Sequence, residues 1–476
     1  MERIVFITHL GPTVHCSFGP QIKSYLETLE HTYVPRIGPP KHINLLNFSR
    51  EWLILPRSAL YELEGFAVRD MRVFAHNSIQ ECCRRGGSQP FLYDDQEILV
   101  AYICAQLRRT IVAALCLDLR AGYGKTFVAA GIIERLCART LYIVPTHELA
   151  HQVYRDLHAT LDRNSDHDSI VIAKSGVQLR DLTMNDTRHV IAIINTVVQV
   201  RAPFGAQFAL IIFDEAHIYC SKVRSTVFRN TQSRWVIGLS ATVDERRDGM
   251  DFAIQHYFGR IIHAQNVPGI NALNDTAPQF NVHVRKINYT NTSAQNLRHE
   301  STNLVFAHYM YEQYARDDVR NNIIFDEARA LIAAGHNVFI FSQEREHVSY
   351  LAQKIVELEI VPRDLCALFY GGIAADDRAN ALTRARIICA TYSYSGTGIS
   401  IVRMTAMVLA TPRYAQMKQI VGRILRRGSD VAIPRVVVDI IDTTTCLARQ
   451  WRLRKNIYAF YGAQIHVSRI NNNIDQ

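Results

Sequence analysis

The segment "DLRAGYGKTFVAAGIIERL" places Gly122, Gly124, Lys125 and Thr126 at the end of the pattern G-x-x-x-x-G-K-[ST]. In a loop of that kind the glycines let backbone N–H groups close on phosphate oxygens, with Tyr123 between them in the same loop. Lys reaches the β and γ oxygens, and Thr ligates Mg²⁺. Leu119 stands where the first Gly of the pattern would be, while the two glycines nearest the phosphates are kept. In isolation an ordinary strand-to-helix turn would also fit. Downstream, "LIIFDEAH" ends an apolar run on Asp214 and Glu215. Asp214 is suited to hold Mg²⁺, often through water, and Glu215 to orient and deprotonate an attacking water. A solvated loop end could also carry two carboxylates, but G-K-T one domain upstream argues for the metal and water roles. "GLSAT", Gly238 to Thr242, closes the next run with two hydroxyls, Ser240 and Thr242.

In the second half, "QIVGRILRRG" supplies Gln419, Gly422, Arg423 and Arg426. Two arginines three apart share a helical face, usually just a solvated one. Here they offer the cation that a transferring γ-phosphate needs. Placed on a second domain, such a finger would make hydrolysis depend on domain closure.

A competing chemistry is written in "PTHELAHQ", which contains H-E-x-x-H: two His four apart for zinc and a Glu to activate water. Pro145 ends the preceding apolar run and Thr146 is a good helix N-cap, so His147 falls in the first turn. The longer pattern H-E-x-x-H-x-x-G-x-x-H fails, with Tyr154 at the Gly position and Leu157 at the final His. A more distant Glu as third ligand is not excluded by spacing.

These residues need a scaffold that delivers strand ends to one place. Short apolar runs alternate with helical patterns: "VAALCLDL", "ARTLYIVP", "DSIVIAKS", "HVIAIIN", "FALIIFDE" and "RWVIGLSA". A second series follows, "HNVFIFSQ", "CALFYGG", "ARIICAT", "MTAMVLATP" and "PRVVVDIID". Continuous Val/Ile/Leu runs with helices between them predict parallel sheets covered on both faces. No sequence repeat is visible, yet the architecture reads as duplicated. The expected class is α/β. Residues 1–85 form a small mixed accessory domain, 86–264 the first α/β domain, 265–300 a connector rich in Asn, Thr and Gln, and 301–476 the second. "CCRRGGSQP", Cys82 to Pro90, reads as a linker.

The chain has 476 residues, 48% hydrophobic and 20% charged, with a formal net charge of +9 carried mostly by Arg. That suits an anionic partner bound through phosphates. Ten scattered Cys without C-x-x-C indicate neither a zinc ribbon nor a disulfide framework. The N-terminus is too short and interrupted for a signal peptide, and no uncharged apolar run reaches membrane-spanning length. The expectation is a soluble intracellular protein with no membrane partner.

Taken in order, G-K-T, "VPTHELAHQ", "DEAH", "SAT", "TYSYSGTGISI" and Q-x-x-G-R-x-x-R resemble the superfamily 2 helicases over roughly residues 88–445. The resemblance implies two tandem RecA-like domains, ATP with Mg²⁺ as cofactors, and a nucleic-acid partner. It makes Gln96 the glutamine that reads adenine, and Ser240 and Thr242 the motif coupling hydrolysis to strand movement. Thr146, Thr196, Thr391 and Gly398 fall where the family approaches the nucleic-acid backbone. "GLSATVDERRDGM" and the C-terminal stretch are similar to the group of xeroderma-B-type repair helicases, phage UvsW and the transcript-release helicases of large DNA viruses. That implies a DNA or DNA–RNA hybrid track, with an RNA helicase of the DEAH type or a nucleotide-gated clamp or annealer as alternatives. Val243 and Ser400 depart from common Pro and Asp positions. Residues 1–85 are the candidate surface for DNA recognition or a protein partner.

Overall fold

The computed structural model describes residues 4–70 apart from 9–10, 34–39 and 64–65, residues 92–270 apart from 110–112, 162–169, 185–187, 201–206, 222–223, 231–232 and 242–251, residues 279–287, and residues 307–470 apart from 372–382, 393–400, 414 and 427–429. The chain divides into two compact units, one of residues 1–120 and 124–275, the other of 121–123 and 276–476.

The first unit holds a seven-stranded sheet. In chain order its strands are Ala113–Asp118, Thr140–Val144, Ile170–Ala173, His189–Ile193, Leu210–Asp214, Trp235–Ser240 and Arg260–His263, lying in space as 3-4-2-5-6-1-7. All pairings are parallel. The second unit's sheet consists of Phe280–Ile287, Val338–Ser342, Cys366–Phe369, Ile387–Thr391, Ala406–Leu409, Arg435–Asp442 and Gln464–Arg469, again 3-4-2-5-6-1-7 and parallel throughout. Two sequences without detectable repetition therefore build one topology twice, as tandem RecA-like domains require.

Burial explains why the central strands read as unbroken apolar runs. Thr140–Val144, His189–Ile193, Leu210–Asp214 and Trp235–Ser240 are buried at every position. In the second sheet, alternate residues feed two cores. Phe339, Phe341, Met407 and Val437 pack on one face, and Val338, Ile340, Val408 and Val438 on the other. Each such side chain contributes roughly 1.5–3 kcal/mol on burial. The helix His147–Leu161 buries Ala150, Val153, Leu157 and Thr160, a single stripe at helical spacing.

Three strands are not among the apolar runs. Arg260–His263 and Gln464–Arg469 lie at sheet edges, largely exposed or half-buried. Phe280–Ile287, inside the stretch read as a connector, pairs on both sides, yet only alternate residues are fully buried from Phe280 to Val284. A period-two pattern carrying Asn281, His283 and Arg285 is easily taken for a polar segment.

Within residues 4–70, a five-stranded mixed sheet runs in the spatial order Asn47–Ser49, Trp52–Ile54, Gly11–His15, Ile4–Thr8, Ala67–Asp70. The first four are antiparallel neighbours, and the last lies parallel to Ile4–Thr8. Ser58 Oγ is shared between Tyr25 Oη at 2.9 Å and His256 Nδ1 at 3.0 Å, and His256 Nε2 lies 3.0 Å from the Thr28 carbonyl. Arg57 donates to the Ser233 carbonyl at 2.7 Å. These buried bonds fix the mixed sheet to the first α/β core. The 82–90 segment read as a linker lies outside the described residues. Cys16, Cys104, Cys116, Cys220, Cys366 and Cys389 are free thiols.

Candidate functional site

The strand Ala113–Asp118 delivers the chain into the loop at Leu119, which is fully buried and donates from its N–H to the Ser240 carbonyl at 2.8 Å. Gly122 and Gly124 then adopt φ of 87° and 91°. At Gly124 the left-handed conformation itself favours glycine, and a Cβ there would lie 2.6 Å from Gln96 Nε2, which would have to shift. The helix Lys125–Leu136 starts there, with Val128, Ala129, Ile132 and Ile133 buried beneath it. Gln96 is buried against the loop, and its Oε1 accepts from the Tyr93 N–H at 3.0 Å.

Lys125 faces the end of the fifth strand. Its Nζ lies 2.5 Å from Glu215 Oε1 and 3.8 Å from Asp214 Oδ1. Asp214 is 3% exposed; its Oδ1 accepts from the Glu215 N–H at 2.9 Å, and its Oδ2 accepts from Tyr142 Oη at 3.3 Å. Burial pushes the Asp214 carboxyl up to about 6, with Lys125 pulling it down and Glu215 pushing it further up. Burial, then the Asp214 charge, hold the Tyr142 phenol well above its usual range, so it stays a donor. Glu215 has φ of 54°, a left-handed conformation that costs a non-glycine residue on the order of 1–2 kcal/mol. That turn aims its side chain back at Lys125.

His217 sits beside these carboxylates. Its Nδ1 lies 3.0 Å from Ser240 Oγ and 3.6 Å from Glu215 Oε2. Ser240 thus touches the phosphate-loop entry through its carbonyl and the DEAH turn through its hydroxyl. Gly238, two residues earlier, leaves room for Phe258 and Ala216, each within 2.9 Å of where a Cβ would stand. His217 was in plain view as the last letter of D-E-A-H but carried no assigned role; its contact with Ser240 spans 23 residues and has no local signal.

Thr146 and Thr196 follow the carboxyl ends of the second and fourth strands, and Thr391 ends the fourth strand of the second sheet. Thr146 Oγ1 accepts from the Leu149 N–H at 3.3 Å, the expected cap. Thr242 and Gly398 lie outside the described residues. His147 and His151 are exposed, and no cluster of three His, Cys, Asp or Glu able to hold a metal occurs among the described residues. H-E-x-x-H therefore has no third zinc ligand there. In the second unit, Gln419 lies on the helix Met417–Val421, Arg423 follows it at 7% exposure, and Arg426 is half-buried. No helix among the described residues is long and apolar enough to cross a membrane.

Comparison with known proteins identifies the family. A family model described as "Type III restriction enzyme, res subunit" matches residues 90–245. A "Putative ATP-dependent RNA helicase" of African swine fever virus is 31% identical over 98% of this chain and 92% of its own. A second protein of that description, from Acanthamoeba polyphaga mimivirus, is 24% identical over 71% of this chain and 62% of its own. The solved structure of the ATP-dependent Type ISP restriction-modification enzyme LlaBIII bound to DNA is 14% identical, with a TM-score of 0.57 over 82% of this chain and 32% of that one, a likeness of fold. The chain belongs to the superfamily 2 helicases found in large DNA viruses, ATP hydrolases coupled to nucleic-acid translocation.

Proposed function

We propose that the chain binds Mg·ATP through Gly122, Tyr123, Gly124, Lys125, Thr126 and Asp214 and uses its hydrolysis to move along DNA or a DNA–RNA hybrid in viral transcription, repair or recombination. The observation that carries the proposal is the Lys125–Asp214–Glu215 cluster, a cation and two carboxylates gathered at the mouth of a glycine loop. The donors fit Mg²⁺: a threonine hydroxyl and one buried carboxylate, hard oxygens that leave further positions to phosphates and water. Bound there, the ion would neutralise charge on the β and γ oxygens.

The protein's own groups do the rest. Lys125, held by two carboxylates, is already aimed where terminal phosphate oxygens would compete for it. Glu215 is the base that takes a proton from the attacking water, and Gln96 reads adenine. Gln419, Arg423 and Arg426 supply the polar and positive groups for phosphoryl transfer. Ser240 and Thr242 couple hydrolysis to movement, with His217 as the intermediary to Glu215. Thr146, Thr196, Thr391 and Gly398 approach the nucleic-acid backbone, and residues 1–85 hold DNA or a protein partner.

A second reading, an RNA helicase of the DEAH type, is favoured by the viral relatives described as ATP-dependent RNA helicases. Measuring ATPase stimulation by duplex DNA, DNA–RNA hybrid, single strands and RNA, with Glu215→Gln as control, separates the two. Stimulation by RNA alone would overturn the DNA track, and undiminished stimulated hydrolysis in Glu215→Gln would overturn the site. Strand-displacement and annealing assays with and without ATP distinguish a motor from a clamp.

A further inference from the structure

Arginines hold the segment of the second unit that carries Gln419, Arg423 and Arg426. Arg454 is bonded to both Asp439 oxygens, at 2.7 and 2.9 Å, and turns Nη1 to the Arg413 carbonyl at 3.1 Å. Arg435 grips the far end, donating to the Ile424 carbonyl at 2.8 Å and the Asp430 carbonyl at 2.9 Å. Both are fully buried and hold backbone in place.

Arg413 is built differently, because its half-buried side chain reaches three separate elements. Nη1 donates to Gln343 Oε1 at 2.9 Å, one residue past the second strand. Nη2 donates to Gln416 Oε1 at 3.2 Å, and Nε to the Ala415 carbonyl at 3.0 Å. The guanidinium lies 5.1 Å from the centre of the Tyr392 ring, next in sequence to Thr391. Tyr392 is fully buried and donates to the Thr411 carbonyl at 2.6 Å, while Thr411 Oγ1 accepts from the Gln343 N–H at 2.8 Å. Gln416 caps the helix Met417–Val421 with φ of 59°, a strained turn for a non-glycine residue that the Arg413 bonds help to hold. A displacement at Thr391–Tyr392 therefore reaches the start of the Gln419 helix through one side chain.

We propose that Arg413 is a positioning residue that couples nucleic-acid binding at the Thr391 strand end to the placement of Gln419, Arg423 and Arg426. The proposal rests on the roles assigned above to those residues. The bonds shown for Arg413 go to Gln343, Ala415 and Gln416, so its expected effect is on how far one substrate changes the use of the other.

The test compares wild type, Arg413→Ala and Arg413→Lys in the full chain, measuring ATP turnover with and without duplex DNA, hybrid and RNA. In Arg413→Ala the stimulated turnover falls about tenfold, and the nucleic acid needed for half-stimulation rises by a similar factor. Unstimulated turnover and the KM for ATP stay within about twofold. Arg413→Lys keeps the charge but not the planar fork, so it lies between the two; it also carries the test if the alanine variant does not fold. Equal stimulation of both variants and wild type, or stimulated and unstimulated rates falling by one factor, would overturn the coupling role. A wild-type enzyme that no nucleic acid stimulates would overturn the functional reading itself, and this proposal with it.

Discussion

The two sheets share a strand order but treat buried charge in opposite ways. In the first, the fifth strand ends on Asp214, beside Lys125 and Glu215, whose side chains are 17% and 21% exposed. In the second, the matching strand runs through Leu409, paired with Phe341 as Phe213 is with Ile143, so Ala410 stands where Asp214 would be. There the fully buried Arg320 donates from Nε to the Ala410 carbonyl at 2.6 Å and closes the strand end. One strand over, Arg435–Asp442 buries two carboxylates, Asp439 and Asp442. Asp439 is 0% exposed and bonded to Arg454, itself 1% exposed, and to Tyr458 Oη at 2.8 Å. In one sheet Asp439 is satisfied from within by Arg454 and Tyr458; in the other a cation and two carboxylates stand together at a strand end.

The sharpest way to break this contrast is to neutralise each carboxylate. Asp214→Asn is expected to lower ATP turnover by about 10²–10⁴-fold, the scale of losing a group that acts in the transition state. Its melting temperature should hold or rise, because burial and Glu215 already oppose charge on Asp214. Asp439→Asn should do the reverse. Leaving Arg454 buried and unpaired costs roughly 3–5 kcal/mol of stability, with turnover per folded molecule little changed. Thermal melts and turnover measured on both variants give the answer; a similar profile for the two would dissolve the distinction.

Acid should separate the units next. Asp214 is held above its ordinary 3.8, at about 6, so as pH falls through 6 it gains a proton that the folded site tolerates. That proton weakens Mg-nucleotide binding, while the group's own contribution to folding improves between pH 6 and 3.8. His347 has the opposite sign. Burial, then Arg320, push it down from 6.5 to about 3, and its neutral ring bonds Ser342 Oγ and Asn321 Oδ1, each at 2.9 Å. The unfolded chain binds that proton first, so stability is lost as pH falls from 6.5 towards 3. Hydrogen exchange across that range should open the second sheet before the first, and His347→Gln should flatten the difference.

How much of this was legible beforehand follows from the same physics. Central strands announce themselves because both faces are buried, and the phosphate loop because its chemistry is local: Gly122, Gly124, Lys125 and Thr126 are nearly contiguous. Phe280–Ile287 was hidden because its partly exposed positions carry polar residues. The partners of Asp439 and Arg320 were hidden because they are long-range: Arg320 bonds carbonyls 90 and 120 residues away. Letters alone also left "HELAH" ambiguous. A helix N-cap at Thr146 and a zinc ligand at His147 differ in the third dimension, where the two histidines face solvent. Networks that join distant segments, such as Arg413–Tyr392–Gln416, leave no periodic trace at all.

The smallest expected effects lie in a pair of tyrosines, one in each cluster. Tyr142 donates to Asp214 over 3.3 Å, a long bond, and Asp214 keeps the Glu215 N–H when it is lost. Tyr142→Phe should therefore cost no more than about 1 kcal/mol of stability. It should shift the Mg²⁺ concentration for half-maximal nucleotide binding by only a few-fold, about what one hydrogen bond to a metal-holding carboxylate is worth. Tyr458 donates to Asp439 over 2.8 Å in a fully buried network. Tyr458→Phe should cost about 1.5–3 kcal/mol, as for a hydrogen bond to a charged group, and leave the Mg²⁺ dependence unmoved. Urea midpoints and magnesium titrations of the two variants test whether each tyrosine serves its own cluster. If Tyr458→Phe moved the metal dependence as far as Tyr142→Phe does, the second cluster would be part of the catalytic site rather than a closed support within its own unit.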